Sequence, residues 1–592
     1  MRAFLAAHWP VAADRVGTAL WHRVVQALGW AVTGGGGPWR VATPPGVPVR
    51  ALADGEGLVV GDLFRSHSSA VLPAGALQDL PDIAPTELSR LLVRGYWGRY
   101  VALLPGPRNS PAMFRDPSGA LDCITWSIGP VRFAASHLPE DLPAEAMPQL
   151  ALDWERLAEL LADAGDVGGR LALTGLESVA PGVLHHEGRM ATLWRPADCA
   201  ANPIIDPDAA ATGLRKAVDL CVAAYAGQGR PLLTEVSGGL DSAIVAGALH
   251  QTPGAQPRTW LNYFGSEPWG DERAYARAVA ERLDVRLTEA PTSDEAFDPL
   301  DFGPAATAHR PSLCGLDPGY DRDVVARCKA DGAEMMLTGQ GGDVLFFQLP
   351  TLKVAVDALR TLGPRAYVSS HVLTVARWRK VSVWSVLAAM WRAGRGHDLE
   401  EPGAPAFIKP IDPSWRSEHP WHEGLEGLPP AKRLQARELI GCSIYFGDCR
   451  RARAVDVVHP LLSQPLIEHC LAVSAGTLTL GVRDRALARQ VFADRLPDAV
   501  VSRWSKGDLT APYGRRLAAG LAGLREHLME GRLAAEGLVD RELLDQILVP
   551  ERLVWDGGYA ALRYAAFLEA WVRNWEDRIS RLRLGASSSA AI

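Results

Sequence analysis

The residues with the clearest chemical capacity are Val236-Ser237-Gly238-Gly239-Leu240-Asp241-Ser242, which join an apolar segment, PLLTEV (231–236), directly to a helical one, DSAIVAGALH (241–250). A strand-to-helix turn at the C-terminal edge of a sheet leaves backbone N–H groups unpaired and aims them at a ligand. Its glycines permit close approach, and the helix dipole favours an anion. The expected chemistry is therefore the cradling of phosphate. The G-x-x-x-x-G-K-[ST] spacing and its lysine are absent, which excludes the usual kinase or GTPase loop. A merely structural glycine turn, capped by Asp241 or Ser242, would have no need of the strand before it and the helix after it.

A second glycine loop, Leu337-Thr338-Gly339-Gln340-Gly341-Gly342-Asp343, follows the apolar run AEMMLT (333–338). Mg²⁺ takes octahedral oxygen ligands, commonly one or two carboxylates plus phosphate oxygens, so Asp241 and Asp343 are the candidate metal ligands. Alone, the second loop reads equally well as a turn with a capping aspartate. Beside the first, it reads as part of the same site.

The elements that must hold these loops follow from periodicity. Helical AATGLRKAVDLCVAAYA (210–226) precedes the first strand. Strand and helix then alternate through RTWLNYF (258–264), DERAYARAVAERL (271–283), DVRLTEA (284–290), DRDVVARCKADG (321–332) and AEMMLT. Such alternation predicts a parallel sheet with helices on both faces. Residues 1 to about 205 instead read as short extended pieces between glycine and proline turns, a β-rich layer with a few helices. NPIIDPD (202–208) interrupts both patterns, so the expected domains are 1–205 and 206–592. From about residue 350 the chain reads as mainly helical, ending in a small polar tail, GASSSAAI, expected to be disordered.

With 592 residues the chain is long enough for two or more cores. Its 61 Lys+Arg against 68 Asp+Glu give a net charge of −7, which argues against a nucleic-acid binder. The N-terminus, MRAFLAAHWPVAADR, is broken by Arg2, His8 and Asp14, and no later run approaches the ~18 apolar residues of a membrane span. The expectation is a cytoplasmic protein that engages no membrane. Eight scattered cysteines without a C-x-x-C are expected to be reduced and mostly buried.

SGGxDS resembles the pyrophosphatase loop of the ATP pyrophosphatase superfamily, whose members cleave ATP to AMP and pyrophosphate. The second loop is similar to the S-G-E-G-x-D-E segment of asparagine synthetases and β-lactam synthetases. Arg115-Asp116-Pro117-Ser118-Gly119 is similar to the R-D-x-x-G of the family's glutaminase-like domain. VDVVHPLLSQPLIEHCL (455–471) and DRALARQVFADRLPDAVVSRWSKG (484–507) are similar to its later motifs. The chain thus resembles the asparagine synthetase family over most of its length. The resemblance implies an α/β chain, with a β-rich glutaminase-like (Ntn-type) domain followed by an ATP-pyrophosphatase (PP-loop) parallel-sheet domain with a helical C-terminal part. It implies ATP and Mg²⁺, a nucleotide cradle of Val236, Ser237, Gly238, Gly239, Asp241, Ser242, Thr338 and Gly339, Asn262 beside the adenine, and Lys506 as catalytic lysine.

Three departures narrow the expectation. Glutaminases of this type use an N-terminal cysteine, but position 2 is Arg and the first cysteine is Cys123, so glutamine hydrolysis is not expected. Position 340 is Gln, where the β-lactam branch has a tyrosine working with a glutamate as base, so no base is assignable. Residues 350–425 do not match the family, and they include the Trp- and Arg-rich stretch 365–395, which reads either as a surface for a carboxylate-bearing peptide or as an amphipathic helical pair with a solvated basic face. The branch the chain most resembles is the lasso peptide cyclases, which join a precursor's N-terminal amine to an Asp or Glu side chain as a macrolactam. That resemblance implies a precursor peptide and a leader peptidase or leader-binding protein as partners. The alternatives are an amide ligase acting on a small molecule, such as asparagine or a β-lactam precursor, and a non-catalytic peptide-binding scaffold.

Overall fold

The computed structural model describes all residues except 1, 53–54, 71, 73–76, 78–79, 81–82, 266, 268–269, 397–403, 412–416, 480–482, 505–506, 508–509, 556–557 and 590–592. The N-terminal part contains two six-stranded antiparallel sheets. Strand alternation decides what each face does. Phe4, Ala6, Trp39 and Val41 of one sheet meet Leu58, Val60, Val101 and Leu103 of the other in a common core. Leu5 and Ala7, one residue out of phase, turn to Leu20, Trp21 and Val24 of the helix Asp14–Leu28. On the outer face of the second sheet, Val59 and Leu63 pack on Leu88 and Leu92 of the helix Pro85–Gly95. Each such side chain contributes roughly 1.5–3 kcal/mol on full burial, which suffices to fix the register.

Asp206 caps the helix Pro207–Ala226, accepting from the Asp208 N–H. Beyond it lies a five-stranded, fully parallel sheet in the order Leu287–Pro291, Thr259–Phe264, Leu232–Glu235, Met335–Leu337, Asp456–Val458. The first strand in sequence is central, with the second on one side and the fourth on the other. That arrangement is a topological switch point, and the crevice beyond the C-terminal ends of its strands is where α/β sheets bind ligands. Both glycine loops leave the sheet there, from neighbouring strands paired through Thr234 and Leu337. The fifth strand has three residues and stands apart in the mainly helical part of the chain, outside the strand–helix alternation.

The remainder is helical, as its periodicity predicts. The last helix, Tyr559–Ser589, runs into the tail expected to be disordered. Its buried Phe567, Trp571 and Trp575 share a core with Leu157 and Leu160 of the N-terminal part and with Phe302. The eight cysteines are free and mostly buried. No helix among the described residues is long and apolar enough to cross a membrane.

Candidate functional site

The first loop is held open by its own hydroxyls. Ser242 Oγ accepts from the Ser237 N–H at 3.1 Å, lies 2.9 Å from Ser237 Oγ and donates to the Gly239 carbonyl at 3.2 Å. Gly239 is the N-cap of the helix Leu240–His250, and Asp241 stands in its first turn. The N–H of Val236 is tied to the Leu261 carbonyl at 2.8 Å. Asn262 is fully buried behind this loop, and its Nδ2 donates to the Val236 carbonyl at 2.7 Å, so its amide braces the strand end.

The second loop lies directly on the first. A Cβ at Gly342 would fall 2.4 Å from Cγ of Asp241, and one at Gly339 would fall 2.5 Å from the Ser242 nitrogen. Glycine at these positions is therefore a condition of bringing Asp241 and Asp343 together. Thr338 accepts from the Gln340 N–H and lies 2.7 Å from Nδ1 of His459, whose Nε2 is 3.3 Å from the Tyr445 carbonyl. A carbonyl only accepts, so Nε2 carries the proton and Nδ1 accepts from the Thr338 hydroxyl. Burial pushes His459 down to about 3, and its neutral ring acts as a strut between the loop and the chain around Tyr445.

Asp241 Oδ2 and Asp343 Oδ1 converge on one nitrogen, Nη1 of Arg485, at 3.0 and 3.1 Å. Arg485 adopts a left-handed backbone (φ 49°) ahead of the helix Ala486–Val491, and its N–H is hydrogen-bonded to the Phe347 carbonyl. Burial works against its charge, but Asp241, Asp484 and Asp343 more than restore it. Arg485 lies within the motif 484–507, but its role is not readable there, because Asp241 and Asp343 lie more than a hundred residues away. Arg503 Nη1 donates to the Gly238 carbonyl at 3.3 Å and its guanidinium stacks 3.9 Å from the Tyr275 ring. Lys506 lies outside the described residues; its neighbours Arg503 and Gly507 both donate to Oε1 of Glu272.

These groups border a cleft of about 970 Å³, near the top of the range for small-molecule pockets. One wall carries a second pair that the sequence did not reveal. The Tyr320 hydroxyl donates to Glu235 Oε1 at 2.5 Å, and burial raises Glu235 above the usual carboxylate range. Arg451 lies over the Tyr320 ring at 4.9 Å.

Among the described residues no group of three or more His, Cys, Asp and Glu side chains is arranged to hold a metal ion. Two carboxylates converging on one cation position are nevertheless a hard anionic donor set of the kind Mg²⁺ uses together with phosphate oxygens, so Asp241 and Asp343 fit that ion.

Position 2, where a glutaminase would carry its nucleophile, is filled differently. Arg2 Nη2 donates to Asp62 Oδ1 at 2.9 Å and to Gln228 Oε1 at 3.2 Å, while its Nε lies 3.6 Å from Asp456. Arg99 bridges Asp62 and Asp456 in turn. This cluster joins the N-terminal sheets to the last strand of the parallel sheet, beside a cavity of only about 130 Å³.

Residues 213–573 match the family described as asparagine synthase. No curated protein matches the chain.

Proposed function

The chain belongs to the asparagine synthase family and is an ATP-dependent amide-bond-forming ligase; from that premise we propose that it closes a macrolactam, joining the N-terminal amine of a precursor peptide to an internal Asp or Glu side chain. The observation that carries this reading is Arg2, locked onto Asp62 and Asp456 where the ammonia-releasing nucleophile would stand. A ligase half without an ammonia source needs an amine that arrives with the substrate.

A carboxylate reacts with an amine only once its oxygen belongs to a good leaving group. The substrate carboxylate attacks the α-phosphorus of ATP, giving an acyl-adenylate and pyrophosphate, and the amine then displaces AMP. The backbone of Ser237 to Ser242 receives the pyrophosphate at the start of the helix Leu240–His250. Asp241 and Asp343 would hold Mg²⁺, which when bound supplies charge compensation on the phosphates. Arg485 offers a cation where oxygen gains negative charge, and the resemblance gives the same role to Lys506. Glu235, raised by burial and paired with Tyr320, takes the role of amine base that Gln340 cannot fill. Holding both ends of one peptide removes much of the entropic cost of closure. A peptidase or leader-binding protein would supply the trimmed peptide.

Incubation with ATP, Mg²⁺ and a leader-trimmed peptide tests this. AMP and pyrophosphate should form, and mass spectrometry should show loss of one water with the free N-terminus gone. ADP as the main nucleotide product rejects the activation chemistry. Acylation of ammonia or a small amine, with no dehydration of the peptide, hands the activity to a small-molecule amide ligase.

A further inference from the structure

Between residues 363 and 396 the chain carries six basic residues, Arg365, Arg377, Arg379, Lys380, Arg392 and Arg395, and no Asp or Glu, although the whole protein is net −7. All six are exposed. They surround the helices Ser370–Arg379 and Val383–Ala393, which bury Val372, Val375, Val386 and Met390 against the body of the protein. The opposite face presents Leu373, Trp384 and Trp391 at 60%, 78% and 55% exposure, with Val368 at 89% just before the first helix. Trp384 and Trp391 are seven residues apart on one helix, so they share a face. The Arg395 guanidinium sits 3.5 Å from the Trp391 ring centroid. Large exposed tryptophans among arginines are the composition of binding hot spots.

We propose that this outer face docks an acidic stretch of the peptide substrate, bearing bulky apolar side chains, that lies outside the cleft; the proposal rests on the peptide-substrate reading. Two observations point to that occupant. A cleft of about 970 Å³ is the size of a pocket for nucleotide-sized molecules, so a peptide reacting in it leaves most of its length outside. The helical pair is also rooted on the catalytic loop: Trp378 packs on Phe347, with ring centroids 6.4 Å apart, and the Phe347 carbonyl accepts the N–H of Arg485. Charge complementarity selects carboxylates. A bilayer or a nucleic acid presents an extended anionic surface that would also face the acidic remainder of the chain, whereas a short peptide meets the basic pair alone. A second copy docked face to face would oppose like charges.

The test is fluorescence anisotropy of a labelled acidic peptide of Asp, Glu, Leu and Phe titrated with the full chain. Parallel titrations use its Lys-for-acid counterpart, phosphatidylserine-containing vesicles and a single-stranded oligonucleotide. Trp384→Ala/Trp391→Ala and Arg392→Glu/Arg395→Glu, whose side chains lie outside the core, should each weaken the acidic peptide about tenfold, equivalent to ~1.4 kcal/mol. The charge-reversed variant should gain binding of the Lys-containing peptide, a readout that unfolding would not produce. Unchanged affinity in both variants overturns the proposal, as does preference for the vesicles or the oligonucleotide. Peptide dehydration that is equally efficient in both variants removes the docking surface and leaves cyclisation standing. Binding that depends on Trp384 and Trp391 but is never followed by dehydration keeps the surface and removes cyclisation.

Discussion

Two clusters of the same ingredients, aspartates bound to arginine, sit at the junction of the N-terminal sheets with the parallel sheet and at the C-terminal edge of that parallel sheet, and differ in what surrounds them. Around Arg2, Arg99, Asp62 and Asp456 the side chains are at most 11% exposed, and the adjoining cavity is about 130 Å³. Around Arg485, Asp241 and Asp343 the wall opens on about 970 Å³, and the Asp343 side chain is 46% exposed. Each charge in the first cluster pairs with another part of the chain. In the second, one guanidinium holds two carboxylates at the mouth of a cleft, where an incoming cation can replace it. The first cluster joins two layers of the fold; the second is a site.

Removing the carboxylates should give the largest effect. Asp241→Asn and Asp343→Asn keep the shape of each side chain and discard the charge that would compensate phosphates. AMP formation should fall by about 10²–10³-fold, the scale for losing a preorganised electrostatic contact. The melting temperature of Asp343→Asn should change little, because that side chain is half-exposed, whereas Asp241→Asn takes a partner from the buried Arg485 and should melt earlier. Normal turnover in both variants would show that the metal lies elsewhere.

Arg485→Met sharpens the comparison, because it leaves Asp241 and Asp343 without the counter-charge they share. Stranding a fully buried charge costs about 3–5 kcal/mol, and solvent at Asp343 reduces this to about 1–3 kcal/mol here. The variant should melt earlier without Mg²⁺ and be rescued by Mg²⁺ more strongly than the native protein, with tighter Mg²⁺ binding by calorimetry. Equal Mg²⁺ affinity in the two proteins would mean that arginine and metal do not compete for one position.

What the sequence revealed and what it hid follow the range of the interactions involved. Residues 236–242 and 337–343 were legible because strand, glycine turn and helix are contiguous, and each carries its own local signal. The parallel sheet was legible from alternation in all but its fifth strand, Asp456–Val458, which stands apart in a mainly helical stretch with no strand–helix alternation to mark it. Arg485, the Glu235–Tyr320 pair and the Arg2–Asp456 contact were not legible, since each joins residues 85 to 454 positions apart that no local pattern connects. Asn262 shows the converse. The family resemblance implies a place beside the adenine, and the structure shows its amide Nδ2 donating to the Val236 carbonyl at the strand end. Lys506 lies outside the described residues.

The smallest expected effect concerns the closed cluster and its response to acid. Burial alone would raise the Asp456 carboxyl, but Arg99, Arg2 and Arg230 together hold it below the usual carboxylate range. In the unfolded chain the same carboxyl titrates near ~3.9. The unfolded state therefore binds more protons between the two values, so the stabilisation is complete above about pH 4 and is lost as pH falls toward the folded value. Arg2→Met removes one of the three cations and brings the folded value of Asp456 back toward the unfolded one. Its stability deficit against the native protein should be greatest near neutral pH and should shrink as pH falls below about 4, where both proteins lose the interaction. Arg581→Met serves as the control: Arg581 pairs with Asp577 across side chains 70% and 66% exposed, and its loss should be almost silent at every pH. Thermal unfolding of the three proteins across the acid range decides the matter. A deficit for Arg2→Met that stays constant through the carboxylate range would show that Arg2 stabilises the junction through its packing and its bond to Gln228, and not through the charges of Asp62 and Asp456.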